Sequence, residues 1–375
     1  MAAGGTAGHV VPAMAVAAEL RASGAEVSFL GARGKIEAEL VPEAGFEIDL
    51  LDVRGIDRRN PLRAALAVGK AAGAVAAARR VLRERGVDVV LGGGGYVAGA
   101  VGMAAVLSRA PLVLTEADSH LGLANRLLAR RARRVCLAFP IAGREGERYL
   151  LTGRPVPAAV LGADRALARE RFGVSAADPC LLVMGGSQGA RSINLAAVGA
   201  FAEGERAGER DFHVIHLSGE RDHDEIARRL SSAPHPERYT LIAYERGLAD
   251  VLAASDLVLA RSGGSIFEVT AAGKPAILVP YPHATADHQR GNAEWMAGGG
   301  AAEIVNDGEL DAQTLAARVA ALFADETRLA AMSKASADLA RPDAARRIAD
   351  EVLAAAEEPS GAPYPPMRGE RRTGT

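Results

Sequence analysis

Glycine clusters three times in this chain directly ahead of a helical pattern: GGTAGH (4–9), GGGGYVAG (92–99) and GGSQGAR (185–191). Without side chains such loops let the backbone approach an anion, and the first N–H groups and dipole of the following helix favour negative charge. Glycines also serve plain tight turns, so one loop decides little. Three of them, spread over both halves of the chain, point to two phosphorylated ligands meeting in a shared cleft.

The most informative stretch is ARSGGSIFEVTAAGKPAILVPYPHATADHQRGNA (260–293). A strand pattern ends at Arg261, a turn of small residues follows, and Glu268 falls in the first turns of the next helix. A carboxylate there can accept both hydroxyls of a ribose while the helix start receives phosphate. Beyond the next strand, Asp287, His288, Gln289 and Asn292 gather near another helix start, a polar density suited to sugar hydroxyls. Each of these features alone reads equally as an ordinary helix cap.

Other chemistries fare worse. Gly93-x-Gly95-x-x-Ala98 with Glu116 downstream meets a loose dinucleotide fingerprint. That strand is not the first of its unit, however, and neither other loop fits. Gly273-Lys274 is followed by Pro275, which has no hydroxyl for magnesium. Asp222-His223-Asp224 resembles a metal-binding Asp-x-Asp but opens a polar helix, and reads as a solvated cap. Cys136 and Cys180 lie far apart in apolar runs, as buried free thiols with no zinc spacing.

These loops need strands to position them. Strand patterns run at 26–31, 47–53, 87–93, 111–117 and 133–139, then at 180–186, 212–219, 239–245, 256–263 and 275–282. Their Val, Ile and Leu show little alternation, as in parallel strands buried on both faces. Helices fill the gaps, among them Pro12–Ser23 and Asp287–Ala297. The fold class is therefore α/β, with two doubly wound parallel-sheet, Rossmann-like domains. TGRPVP (152–157) is the hinge. The expected divisions are 1–153, 154–342, a last helix at 343–356 packing back on the first domain, and a disordered Pro/Gly-rich tail at 357–375.

The chain has 375 residues and a formal net charge of −2, which makes no electrostatic case for nucleic acid. Residues 1–153 are mildly basic, with 20 Lys and Arg against 15 Asp and Glu. No apolar run reaches the roughly 18–20 residues of a membrane span, and no signal-peptide pattern opens the chain. A cytoplasmic protein is expected. The segment 61–86, apolar and edged by Lys70, Arg79, Arg80, Arg83 and Arg85, could rest on anionic lipid or simply cover the sheet.

Taken in order, GGTAGH, GGGGY, GGSQGAR and the Glu268 helix with its following DHQ resemble the MurG family of N-acetylglucosaminyltransferases, from the first residues to about 355. The resemblance implies the two-domain GT-B architecture and an enzyme at the cytoplasmic face of the cell membrane. The donor would be UDP-N-acetylglucosamine, held mainly by the second domain. The acceptor would be the undecaprenyl-diphosphate-linked lipid I, and the product lipid II of peptidoglycan synthesis. No metal and no cofactor are called for. By position, Thr6 and Gly8 line the cleft, and Ala7, Tyr96 and Asp118 are further substrate-binding residues. Ser187 meets the donor diphosphate, Glu268 holds the ribose and Gln289 reaches the sugar, with Gln188, Arg261, His288 and Asn292 as further substrate-binding residues. His9 suits a general base, since its ordinary pKa lies near neutrality. Ala7 stands for a usual glycine, Asp118 for an asparagine and Pro157 for an arginine. These departures leave open a related transferase acting on another lipid or small aglycone, or a nucleotide-sugar-binding protein with reduced turnover.

One element is missing from this picture. In a doubly wound half, the first strand lies centrally and delivers the first glycine loop. Met1-Ala2-Ala3 is too short to form it, so a chain beginning one strand too late is expected.

Overall fold

The computed structural model describes residues 1–52, 61–186, 188–203, 208, 210–284 and 287–357, leaving aside the side chains of residues 7 and 61–71. The expectations for Ser187, Lys70 and the tail lie outside what is described. Two units emerge, Met1–Val156 with the chain from Arg341 onward, and Pro157–Ala340.

In the first unit, strands β1 (Ser28–Ala32) and β2 (Glu47–Leu51) form a parallel pair. Strands β3 (Val90–Gly92), β4 (Leu112–Glu116), β5 (Arg134–Leu137) and β6 (Tyr149–Leu151) form a parallel sheet in that order. Between the two groups sits the very start of the chain. The Ala2 N–H donates to Leu91 O at 2.8 Å, the Gly93 N–H to Ala2 O at 2.7 Å, and the Leu30 N–H to Met1 O at 2.8 Å. Met1 and Ala2 together thus bridge β1 and β3. Their bonds satisfy edge groups that the sequence alone leaves unpaired. Beside them lies a hollow of about 430 Å³ walled by Leu20, Val27, Leu82, Val89 and Val352. Burial lowers the pKa of the Met1 amine to about 5.

The apolar runs are explained by cover on both faces. Leu112, Leu114, Val135 and Leu137 pack toward Val97, Val101 and Leu128 on one side. Val113 and Cys136 meet Val16, Leu20, Ile348 and Val352 on the other. Ile348 and Val352 belong to the last helix, Ala344–Glu357, whose apolar stripe closes that face. Each fully buried Leu or Val contributes about 1.5–3 kcal/mol relative to exposure.

The first helix corrects the sequence reading. It spans Ala7–Ala22, so Pro12 lies inside rather than at its start. Pro12 has no N–H to offer Gly8 O. The Arg154 guanidinium donates to that carbonyl instead, at 2.6 Å.

The second unit holds β7 (Cys180–Met184), β8 (His213–Leu217), β9 (Tyr239–Ile242), β10 (Leu257–Ala260), β11 (Ala276–Leu278) and β12 (Ala302–Ile304). All pairs are parallel, in the spatial order β12-β11-β10-β7-β8-β9. The order reverses between β7 and β10. Ligands of such sheets bind in the crevice beyond the strand ends at that reversal, and this is where the loops 185–190 and 261–265 begin. Cys136 and Cys180 are buried free thiols, both pushed up to about 12 by burial.

Candidate active site

In the first unit, two glycine loops interlock. A Cβ on Gly95 would lie 2.6 Å from Gly4 O, and one on Gly94 would lie 2.9 Å from His9 Nδ1. Both glycines have positive φ, 77° and 91°, so no other residue suits either count. His9, in the first turn of its helix, therefore lies against the second loop with its Nδ1 buried and unpartnered. Burial first, then Arg154, hold its pKa below the ordinary 6.5, while Asp118 and Glu37 pull it up. The Tyr96 ring packs over Gly5, and its hydroxyl is likewise unpartnered. Thr6 is the N-cap, but its hydroxyl makes no capping bond and is exposed. Ala7 opens the helix, and Gly8 lends its carbonyl to Arg154.

Asp118 lies in the loop after β4, its N–H donating to Glu116 Oε1 at 3.2 Å. Glu116 also accepts from the Gly122 N–H at 2.8 Å and Asn125 Nδ2 at 2.9 Å. Buried and so occupied, it is not placed to hold a ribose, which removes the dinucleotide reading. Glu116 and Asn125 instead shape the loop that carries Asp118. Sequence reasoning gave neither residue this role.

In the second unit, Gly189 of the third loop and Gly219, which faces it, are required by crowding. A Cβ on Gly189 would collide with Ser218 O, and one on Gly219 would lie 2.6 Å from Gly189 N. Gln188 is exposed at the tip of this loop. Arg261, at the end of β10, donates to Val279 O at 3.1 Å and Ser192 Oγ at 2.9 Å, and pairs with Asp307 at 2.6 Å. In this arrangement its guanidinium ties the end of β10 to the end of β11, to the helix Arg191–Val198 and to Asp307. Glu268 lies in the first turn of the helix Ile266–Ala271, partly exposed.

His288, Gln289 and Asn292 stand on the helix His288–Gly298. Gln289 Oε1 accepts from the Tyr281 N–H at 3.0 Å, and a Cβ on Gly263 would lie 3.8 Å from its amide nitrogen. Asn292 donates to Ser262 O at 3.0 Å, while its Oδ1 is buried without a partner. The Ser262 hydroxyl donates to Gln289 O at 2.7 Å, closing these residues into one cluster around the loop after β10.

Behind the third loop lies a buried polar network. His216 bonds the Tyr239 hydroxyl at 2.8 Å and Asn194 Oδ1 at 3.0 Å. Asn194 Nδ2 donates to Ser218 O at 2.8 Å and Asp222 Oδ2 at 2.9 Å. Asp222 is thus not a solvated cap; its carboxylate is buried, and the Arg221 hydrogen bond lowers its pKa. Among the described residues no group of His, Cys, Asp and Glu could hold a metal.

Two parallel-sheet units, each with a tight glycine loop at its strand ends, form the GT-B architecture. Residues 1–137 match the N-terminal domain of glycosyltransferase family 28, and residues 180–348 its C-terminal domain. The chain belongs to the family of UDP-N-acetylglucosamine–N-acetylmuramyl-(pentapeptide) pyrophosphoryl-undecaprenol N-acetylglucosamine transferases. It is 39% identical to the protein so named in Moorella thermoacetica, over 94% of this chain and 98% of that one. It is 40% identical to the one in Aeromonas hydrophila, over 93% and 94%. The crystal structure of Acinetobacter baumannii MurG is similar at TM-score 0.76 and 29% identity, covering 94% of this chain and 98% of that one. A UDP-N-acetylglucosamine 2-epimerase matches in fold alone, at TM-score 0.62 and 16% identity, over 94% of both chains.

Proposed function

We propose that this chain transfers N-acetylglucosamine from UDP-N-acetylglucosamine to the 4-hydroxyl of the N-acetylmuramyl unit of lipid I, giving lipid II. The observation that carries this reading is identity of about two residues in five, end to end, with relatives named for that transfer. His9 takes the proton of the acceptor hydroxyl as its oxygen attacks the anomeric carbon, and the bond from that carbon to the diphosphate oxygen breaks with inversion. UDP leaves carrying the electron pair, and loop N–H groups with the helix dipole meet its developing charge. Labelled UDP-N-acetylglucosamine incubated with a lipid I analogue should give labelled lipid-linked product. Label released as free sugar, or no turnover beside normal UDP binding, would sink the reading.

Glu268 is assigned the ribose, Ser187 and Gln188 the donor diphosphate, and His288, Gln289 and Asn292 the sugar, with Arg261 holding the end of β10. Thr6, Ala7, Gly8, Tyr96 and Asp118 are assigned to the acceptor. Glu268→Ala is expected to weaken UDP binding by about 1.5–3 kcal/mol, the scale of charge-assisted hydrogen bonds. Unchanged affinity in calorimetry would remove Glu268 from the donor site.

The first unit is assigned to the anionic cytoplasmic face of the membrane. No helix among the described residues is long and apolar enough to cross it. Arg79, Arg80, Arg83 and Arg109 surround a hollow of about 690 Å³, with Leu107 53% exposed beside them. Arg85 does not join this group, being paired with Glu47 and Asp49, each at 2.7 Å. Sedimentation with anionic vesicles at low salt should exceed that with neutral ones, and Arg80→Glu with Arg83→Glu should abolish the difference. Equal sedimentation of the unaltered protein with both vesicle types would remove the assignment.

A further inference from the structure

We propose that Glu37 is a positioning residue for the transfer step, a buried carboxylate that fixes the first glycine loop and, through it, the imidazole of His9. The inference rests on the reading of His9 as base. Glu37 begins the short helix Glu37–Glu43 after β1, and its side chain has no exposure at all. The Gly5 N–H donates to both of its oxygens at 3.1 Å, and the Ala32 N–H donates to Oε1 at 3.0 Å. Space has been cleared for it on two sides. A Cβ on Gly4 would collide with Oε1, and one on Gly31 would lie 2.7 Å from Cγ.

An apolar side chain would fill this place without the desolvation cost of an anion. The carboxylate instead binds backbone N–H groups on two separate segments. Gly5 has φ of 96° and turns the chain into the helix of His9. It is held between the Glu37 oxygens and the Tyr96 ring, where a Cβ on Gly5 would lie 3.1 Å from Cε1. Four residues on, His9 meets Gly94 and Gly95. A loop free to shift here would carry the imidazole away from the second loop, and small displacements of a reacting group cost rate rather than substrate affinity.

The charge also reaches the ring. Glu37, Asp118 and Arg154 are the charged groups that act on His9, the two carboxylates favouring its protonated form and Arg154 the neutral one. Tyr96, on the helix Gly95–Ser108 that follows the second glycine loop, adds an uncharged hydroxyl to the same surroundings.

Steady-state kinetics of Glu37→Gln and Glu37→Asp across pH 5–9, beside His9→Ala, test the proposal. Glu37→Gln keeps the shape and loses the charge. Its kcat should fall about tenfold or more with the KM for UDP-N-acetylglucosamine within about twofold, and the acid limb of kcat should move to lower pH. Glu37→Asp keeps the charge but withdraws it by one carbon, so kcat should fall while the acid limb stays near its original place. Should Glu37→Gln fail to fold, Gly31→Ala, which crowds Cγ and leaves the charge, must lower kcat at unchanged donor KM. Folded Glu37→Gln with unaltered kcat and pH limb, beside a crippled His9→Ala, overturns the role of Glu37. Full turnover in His9→Ala overturns the base reading on which it rests.

Discussion

Replacing His9 with alanine lowers turnover by roughly two or more powers of ten and leaves UDP binding near normal. The expectation follows from where the ring sits. It belongs to the first unit, whereas the residues assigned to UDP belong to the second, so its loss subtracts from the proton transfer and not from donor binding. Its Nδ1 has no partner, and two glycines with positive φ leave room for it. The pH profile adds an independent test. A base must be neutral to accept a proton, and burial with Arg154 keeps the His9 pKa under 6.5. The acid limb of kcat/KM should then lie below pH 6.5, with a level rate from pH 7 upward until another group titrates. A fall in turnover of less than about tenfold would make His9 a loop-ordering residue and pass the base to another group.

Acid should unfold the second unit through two buried imidazoles of β8, His213, whose pKa burial lowers to about 4, and His216. His216 is fully enclosed, and burial takes its pKa down to about 3. In the unfolded chain the same imidazole takes its proton near 6.5. Between those values the unfolded state binds the extra proton, so stability present above pH 6.5 is lost as pH falls toward 3. From pH 7 to pH 4 that amounts to about 3 kcal/mol. The sole tryptophan, Trp295, stands on the helix His288–Gly298 and reports on this unit by fluorescence. Urea midpoints from pH 7 to 4 should fall less steeply for His216→Gln, whose amide can still bond Tyr239 and Asn194. Parallel slopes for the two proteins would remove His216 as an acid-sensitive group and leave that role to His213.

The strands that carry the glycine loops were legible because burial on both faces writes them as unbroken runs of Val, Ile and Leu. β6 and β12 were not read. Each has three residues at a sheet margin, YLL and AEI, and is partly exposed, too short and too mixed to leave a pattern. The first helix was misplaced because Pro12 looks like a first-turn proline. What permits Pro12 inside the helix is Arg154, 142 positions away in the sequence, and local reading has no access to such a partner.

The candidate site divides in the same way. His9, Glu268 and the DHQ segment stand beside glycines at strand ends, where residue type and spacing speak together. Glu37, Glu116, Asn125 and Asn194 work by bonding other parts of the backbone, and in sequence they resemble polar residues on a helix surface. Glu37 did leave a trace. It follows Gly31 at the end of a buried strand, where a glycine with no turn to make can mark space kept for a neighbour. Asp222 misled for the opposite reason: a run of charge at a helix start reads as solvated, yet Asn194 draws this carboxylate inside.

The helix Ala344–Glu357 bears on how the protein is made. It closes a face of the first unit that Val16, Leu20, Val113 and Cys136 otherwise leave open, while the second unit is one uninterrupted segment, Pro157–Ala340. On the ribosome the domain begun first is therefore completed last. At 5–20 residues per second its open face waits roughly 10–40 seconds for its cover. During that interval the nascent chain presents an apolar surface of the kind chaperones bind, and a stop codon placed just before the final helix should turn this passing exposure into a permanent one.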